Sequence, residues 1–176
     1  IANKTMNNHS PNSPTLSISL IQPNHTQFDK LNPSRKNTLL KDYLNLIQTS
    51  LKESPDLILL PETITPSLNL DTLWFTKKLK LLLKNTHTTI IFGTPTKEGN
   101  KYYNSAVTFN ENGAQHIYNK NLLMPFGEYW PFRPLLSLLN LSHLLPDNDY
   151  STSEKKNSIL KTDFGNIGVS ICLESL

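Results

Sequence analysis

The 176 residues are 37% hydrophobic and 18% charged, with one cysteine and a formal net charge of +3. A single cysteine excludes an internal disulfide framework and any zinc site built on several thiolates. Seventeen basic residues are answered by 14 acidic ones, too even a balance for a nucleic-acid surface, and the length fits one globular domain.

In chain order, residues 1–14 are polar, carry two prolines and read as a linker; they lack the apolar core of a signal peptide. Leu16, Ile18 and Leu20 then alternate with Thr15, Ser17 and Ser19, the period of a strand. Gln22-Pro23-Asn24 ends it and a polar loop follows. From Ser34 the apolar positions Leu39, Leu40, Tyr43, Leu44, Ile47 and Leu51 form a helical stripe that Pro55 stops. Residues 56–60 are a short continuous apolar run, as in a strand covered on both faces. A second helix is predicted over 71–85 and a second buried strand over 88–93. Strands at 101–110 and 114–119 flank Glu111-Asn112-Gly113, a hairpin signal. Residues 120–157 read as loop, with one leucine-rich stretch at 134–145. A strand at 158–162, a turn at 163–166 and a strand at 167–172 close the chain. Helices and buried strands alternate early and hairpins come later, which predicts an α/β fold with a mixed sheet. No stretch approaches the roughly 18 apolar residues of a membrane span.

The six glycines form no nucleotide-binding pattern. His9, His25, His87, His116 and His143 have no ligand spacing, so neither cofactor nor metal is expected. Cys172 closes the last apolar strand. Lone cysteines are most often small buried hydrophobes, but the end of a strand is also where an α/β sheet presents a nucleophile. Such a thiol needs a base or a cation beside it. Glu62 and Lys120 each follow a strand at its exit. A solvated loop glutamate and a surface lysine are their ordinary readings, yet α/β sites gather at strand carboxyl ends. Together the three make chemical sense. A glutamate can deprotonate the thiol and pass the proton to a leaving group. A lysine and the backbone N–H of Leu173 can hold the oxyanion formed when a thiolate adds to a carbonyl.

Three blocks carry a family resemblance: Leu60-Pro61-Glu62-Thr63, residues 118–131 (YNKNLLMPFGEYWP) and residues 168–174 (GVSICLE). They resemble the catalytic blocks of the nitrilase (carbon–nitrogen hydrolase) superfamily and, within it, those of the bacterial apolipoprotein N-acyltransferases. The resemblance runs from about Leu16 to Leu176. It implies an α-β-β-α sandwich with a mixed sheet and a Glu62–Lys120–Cys172 triad, supported by Glu128 and Glu174. It further implies that Cys172 takes an acyl chain from a phospholipid as a thioester. The acceptor would be the N-terminal diacylglyceryl-cysteine of an apolipoprotein. No cofactor is implied. The implied location is the bacterial inner membrane, reached through parts outside this chain, with the catalytic domain facing the periplasm.

The sequence departs from the family at Leu173, where an aromatic residue is usual, and at Lys30-Leu31, where a tryptophan is frequent. It also holds no membrane-embedded helices. The leucines after Pro134 read either as ordinary helix core or as an arm that meets the bilayer. A soluble amide hydrolase of the same superfamily and a non-catalytic module are the competing functions. The family's domain continues well past its nucleophile, so residues 15–176 are expected to be its N-terminal part, truncated after the nucleophile strand and inactive alone.

Overall fold

The computed structural model describes residues 15–64, 74–140, 143, 149–153 and 158–175. The expected linker at 1–14 and the first residues of the expected second helix lie outside these.

Helix α1 (Gln27–Leu31) was not signalled by any apolar stripe. It forms through a capping box, in which the Thr26 hydroxyl accepts from Asp29 N and the Asp29 carboxylate accepts from Thr26 N. Asn32 then caps a 3-10 turn with Pro33 at its first position, so α2 (Lys36–Ser50) begins two residues after the expected Ser34. Its buried residues Leu39, Leu40, Tyr43 and Ile47 are those of the helical stripe. Ser54, in left-handed backbone at φ 49°, and Pro55 turn the chain into β2. Helix α3 (Trp74–Leu83) buries Phe75, Leu79 and Leu83 at the same period.

Five strands form one mixed sheet in chain order: β1 (Ile18–Leu20), β2 (Leu57–Leu59), β3 (Thr89–Glu98), β4 (Lys101–Asn110) and β5 (Gly113–Asn119). β1, β2 and β3 are parallel. β3–β4 and β4–β5 are antiparallel, so two reversals return β5 to the direction of β2. One face, carrying Ile58, Ile90, Phe92, Val107 and Phe109, packs against Leu40, Tyr43 and Ile47 of α2 and Phe75, Leu79 and Leu83 of α3. The other, carrying Leu57, Ile91, Ala106 and Tyr118, meets Leu160 and Ile171 at a two-stranded antiparallel sheet of β6 (Ile159–Thr162) and β7 (Gly165–Gly168). One helical layer, a mixed sheet and a second sheet are three of the four layers of the expected sandwich.

Several expectations need correction. Leu16, Ile18 and Leu20 do alternate, but they are exposed, at 39%, 49% and 74%. Ile18 and Leu20 register with Leu57 and Leu59, which puts them on the β6–β7 side at the sheet edge, where the described residues leave much of their surface open. β3 extends to Glu98 and turns into β4 through Gly99-Asn100, a hairpin the apolar pattern did not reveal. The last strand ends at Gly168, short of Cys172, which lies in a 3-10 turn (Cys172–Ser175). In the leucine-rich stretch, α4 (Arg133–Leu138) is only six residues long, and Leu135, Leu138 and Leu139 are exposed rather than core. Among the described residues no helix is long and apolar enough to cross a membrane.

Candidate active site

Strand direction gathers the site. Because β2 and β5 run the same way, the residues following both emerge at one end of the sheet, where Glu62 and Lys120 stand. Glu62 is placed by backbone pairing that continues past β2: Leu60 N donates to Ile91 O at 2.9 Å, Gly93 N to Pro61 O at 3.1 Å, and Ile64 N to Gly93 O at 3.1 Å. Gly93 is required there by space. A Cβ at this position would lie 1.1 Å from the carbonyl oxygen of Glu62. Lys120 follows β5 and its N–H donates to Asn104 O of β4 at 2.8 Å.

Lys120 is not the surface lysine of the ordinary reading. Its side chain is 1% exposed, with Nζ 2.8 Å from Glu128 Oε2 and 4.0 Å from Glu62 Oε1. A buried ammonium is tolerated only when paired and hydrogen-bonded, and here two carboxylates supply that. Asn104 Nδ2 donates to Glu62 Oε1 at 3.0 Å and to Glu128 Oε1 at 2.7 Å, spacing the acids apart. Glu128 also accepts from Met124 N at 2.8 Å. Burial pushes the Glu128 carboxyl up, but the hydrogen bonds from Lys120, Asn104 and Met124 outweigh it and hold the pKa below the ordinary 4.5. Glu62 keeps a 44% exposed side chain, reachable from solvent while its Oε1 is held.

Cys172 stands in a turn that Glu174 holds in place. One oxygen, Oε1, accepts from Tyr118 Oη at 2.6 Å, Asn121 N at 2.6 Å and Leu122 N at 3.2 Å. The other accepts from Ile171 N at 2.8 Å. A single carboxylate therefore ties the turn bearing Cys172 to the segment bearing Lys120. Burial opposes ionisation of Glu174, yet the Tyr118 hydroxyl and the three backbone donors win and lower its pKa. Tyr118 is pushed up to about 12, by burial first and then by its bond to Glu174. Cys172 is exposed and adopts φ 51°, a left-handed conformation that costs a non-glycine residue about 1–3 kcal/mol and concentrates at functional turns. An open cavity of about 410 Å³ is lined by Lys30, Glu62, Thr63, Asn104, Glu128 and Tyr150. Cys172 does not line it.

The structure thus brings Glu62, Lys120 and Glu128 into contact, and through Glu174 it ties the turn bearing Cys172 and Leu173 to the backbone that follows Lys120. Sequence reasoning passed over Asn104, since a polar residue inside an apolar strand carries no motif, and it gave Tyr118, the first residue of the 118–131 block, no role of its own. Lying on β4 beside the Lys120 strand is what makes Asn104 part of the cluster. Among the described residues no group of histidine, cysteine or acidic side chains could hold a metal.

Replacing Glu174 by Gln sets an amide N–H₂ against groups that are themselves donors. Glu174→Gln is expected to lower stability by about 1–2 kcal/mol. It also predicts a pH effect. The folded pKa values of Glu128 and Glu174 lie below the ordinary 4.5. The unfolded chain therefore takes up protons first as pH falls, and the stability these groups contribute is complete above that value and drains away below it. Urea melts between about pH 6 and pH 3 should show a shallower acid-side loss in Glu174→Gln than in the parent. An identical slope would remove Glu174 from this account.

A family model described as carbon–nitrogen hydrolase matches residues 17–176. The chain is 32% identical over 168 residues to an apolipoprotein N-acyltransferase of Haemophilus ducreyi, covering 92% of this chain and 33% of that protein. It is 33% identical over 168 residues to the protein of the same name from Haemophilus influenzae, covering 90% and 32%. The chain thus spans about a third of the length of the curated relatives it matches. Among solved structures it resembles Saccharomyces cerevisiae Nit3, of branch 10 of the nitrilase superfamily, with a TM-score of 0.53 and 20% identity. That match covers 78% of this chain and 50% of the other, a likeness of fold alone.

Proposed function

The chain belongs to the carbon–nitrogen hydrolase family, and on that premise we propose that it forms part of an N-acyltransferase for lipoproteins, with Glu62, Lys120 and Cys172 as its catalytic residues. The donor is a phospholipid and the acceptor is the α-amine of an N-terminal diacylglyceryl-cysteine. The observation that carries this reading is the cluster at one end of the sheet, in which a buried Lys120 lies against Glu62 and Glu128 and Glu174 ties the turn bearing Cys172 to the backbone that follows Lys120. Similarity to proteins named apolipoprotein N-acyltransferase supports the choice of donor and acceptor. So do the exposed Leu135, Leu138 and Leu139, apolar surface suited to a bilayer. The protein then works at the bacterial inner membrane with this domain on the periplasmic side.

Each half-reaction uses the same groups. Glu62 takes the proton from Cys172 Sγ as the thiolate adds to the ester carbonyl. Lys120 Nζ and the Leu173 N–H hold the oxyanion of the tetrahedral intermediate. Its collapse breaks the carbon–oxygen ester bond, Glu62 returns the proton to the leaving alkoxide, and lysophospholipid departs. The thioester carbonyl is then attacked by the acceptor amine, Glu62 removes the amine proton, and collapse releases the amide and restores the thiol. Glu128 keeps Lys120 charged and in place, and Asn104 orients Glu62.

The test uses the protein with whatever sequence naturally adjoins residues 1–176. Incubation with phospholipid in mixed micelles should add one acyl mass to Cys172, released by hydroxylamine and absent in Cys172→Ser. Addition of a diacylglyceryl peptide should discharge it as an amide. Turnover of small amides with no acyl-enzyme from phospholipid would replace this reading by an amide hydrolase. No Cys172-dependent chemistry on either substrate would leave a non-catalytic module.

A further inference from the structure

Lys30 is a cavity-lining residue that none of the steps above employs. It is half-buried in α1, and its backbone is fixed by the cap, with Lys30 N donating to Thr26 O at 3.2 Å. The acid next to it is already engaged. Asp29 lies 3.2 Å from Arg35 Nη1 and accepts from the Thr26 hydroxyl at 2.7 Å. The charge of Lys120 is likewise committed to Glu128 and Glu62 and buried beneath them. Among the described residues Lys30 makes no ion pair. Without it the cavity presents two glutamates against one buried lysine, a field that repels an anion. Among the residues lining the cavity, Lys30 is the cation that offsets this.

We propose that Lys30 binds the phosphate of the acyl donor, holding the phospholipid headgroup at the cavity mouth while its ester reaches the site. The inference rests on the acyl-transfer reading above. An ammonium on a four-carbon stem is a point charge able to follow a phosphate, and a charge-assisted contact is stronger than a neutral one.

The experiment compares the parent with Lys30→Gln and Lys30→Arg on two donors in neutral detergent micelles, phosphatidylglycerol and phosphate-free diacylglycerol. Lys30→Gln is expected to raise KM for phosphatidylglycerol about fivefold, the loss typical of one partly exposed charge contact. It should leave kcat and the diacylglycerol KM unchanged, and Lys30→Arg should restore most of the affinity. Calorimetry with monomeric dihexanoyl phosphatidylglycerol supplies a readout independent of turnover, and binding should weaken by the same factor in Lys30→Gln. An equal KM rise for both donors, no change for either, or a loss in kcat with a displaced pH profile would overturn the proposal. The last outcome would make Lys30 a partner of Glu62. Competition by inorganic phosphate as strong as by the lipid would overturn the headgroup assignment in favour of free phosphate. Lys30-dependent lipid binding without any thioester at Cys172 would overturn the acyl-transfer reading while the phosphate contact stands.

Discussion

Lys120→Met is expected to destabilise the protein by about 3–5 kcal/mol, because it leaves the Glu128 charge buried without its partner. Glu128 Oε2 lies 2.8 Å from Lys120 Nζ and its side chain is 12% exposed, so water cannot replace the ammonium fully. In a domain of this size the loss corresponds to a fall of about 10 °C in Tm. Met has similar length and no charge, so the change reports the charge and not a cavity. The double variant Lys120→Met/Glu128→Gln removes both charges and should recover most of the stability, which a double-mutant cycle would read as strong coupling. Activity should not recover with it. On the proposed mechanism Lys120 is an oxyanion donor, and its loss is expected to slow acylation about 100-fold or more in both variants. Equal stability of Lys120→Met and the parent would mean that the pair contributes nothing to the fold. Recovered activity in the double variant would take Lys120 out of the chemistry.

The second large effect is expected at Gly93. A methyl group there would overlap the Glu62 carbonyl carbon as well as its oxygen, at 2.0 and 1.1 Å. Backbone on both sides leaves no flexible side chain to yield. Gly93→Ala must push residues 61–64 off the sheet, breaking the hydrogen bonds of Gly93 N to Pro61 O and Ile64 N to Gly93 O and drawing the fully buried Ile64 from the core. We expect a loss of about 3 kcal/mol or more. Because Glu62 rides on the displaced segment, acylation of Cys172 should fail even where the variant remains folded. Gly168→Ala is the control. A Cβ there meets nothing within 4 Å, so its effect should stay within about 0.5 kcal/mol. If chemical denaturation gave the two variants the same stability, close approach at Gly93 would not be what sets the position of Glu62.

Both predictions turn on features of different legibility in the sequence. The helical stripe at Leu39, Leu40, Tyr43 and Ile47 was readable because burial of one helical face imposes a 3.6-residue period. The apolar run at 56–60 was readable because β2 lies between two parallel neighbours and is covered on both faces. Alternation at Leu16, Ile18 and Leu20 reported a strand but not which face it would bury, since a period of two is the same for either side. The apolar pattern carries the final strand too far toward Cys172, because Val169 and Ile171 are apolar and pack on the sheet yet lie between the end of β7 and the 3-10 turn. Gly93 showed nothing of its role, as a glycine in a strand reads only as weakness until the chain crossing it is known.

Residue types and order within the chain by themselves determined that Glu62, Lys120 and Cys172 each stand just beyond an apolar segment, in blocks that resemble one family. Local periodicity and motif spacing are properties of the chain, and they need no third dimension. Only the tertiary structure decided what these residues face. Two antiparallel reversals point β5 along β2 and bring Lys120 to the end of the sheet where Glu62 emerges. Burial then turns a nominal surface lysine into a paired interior cation, with Asn104 between its two acids. The same packing lets Glu174 gather four donors from segments about 50 residues apart. Charge pairing and hydrogen-bond satisfaction depend on distance and dielectric, and both are set by how the layers pack.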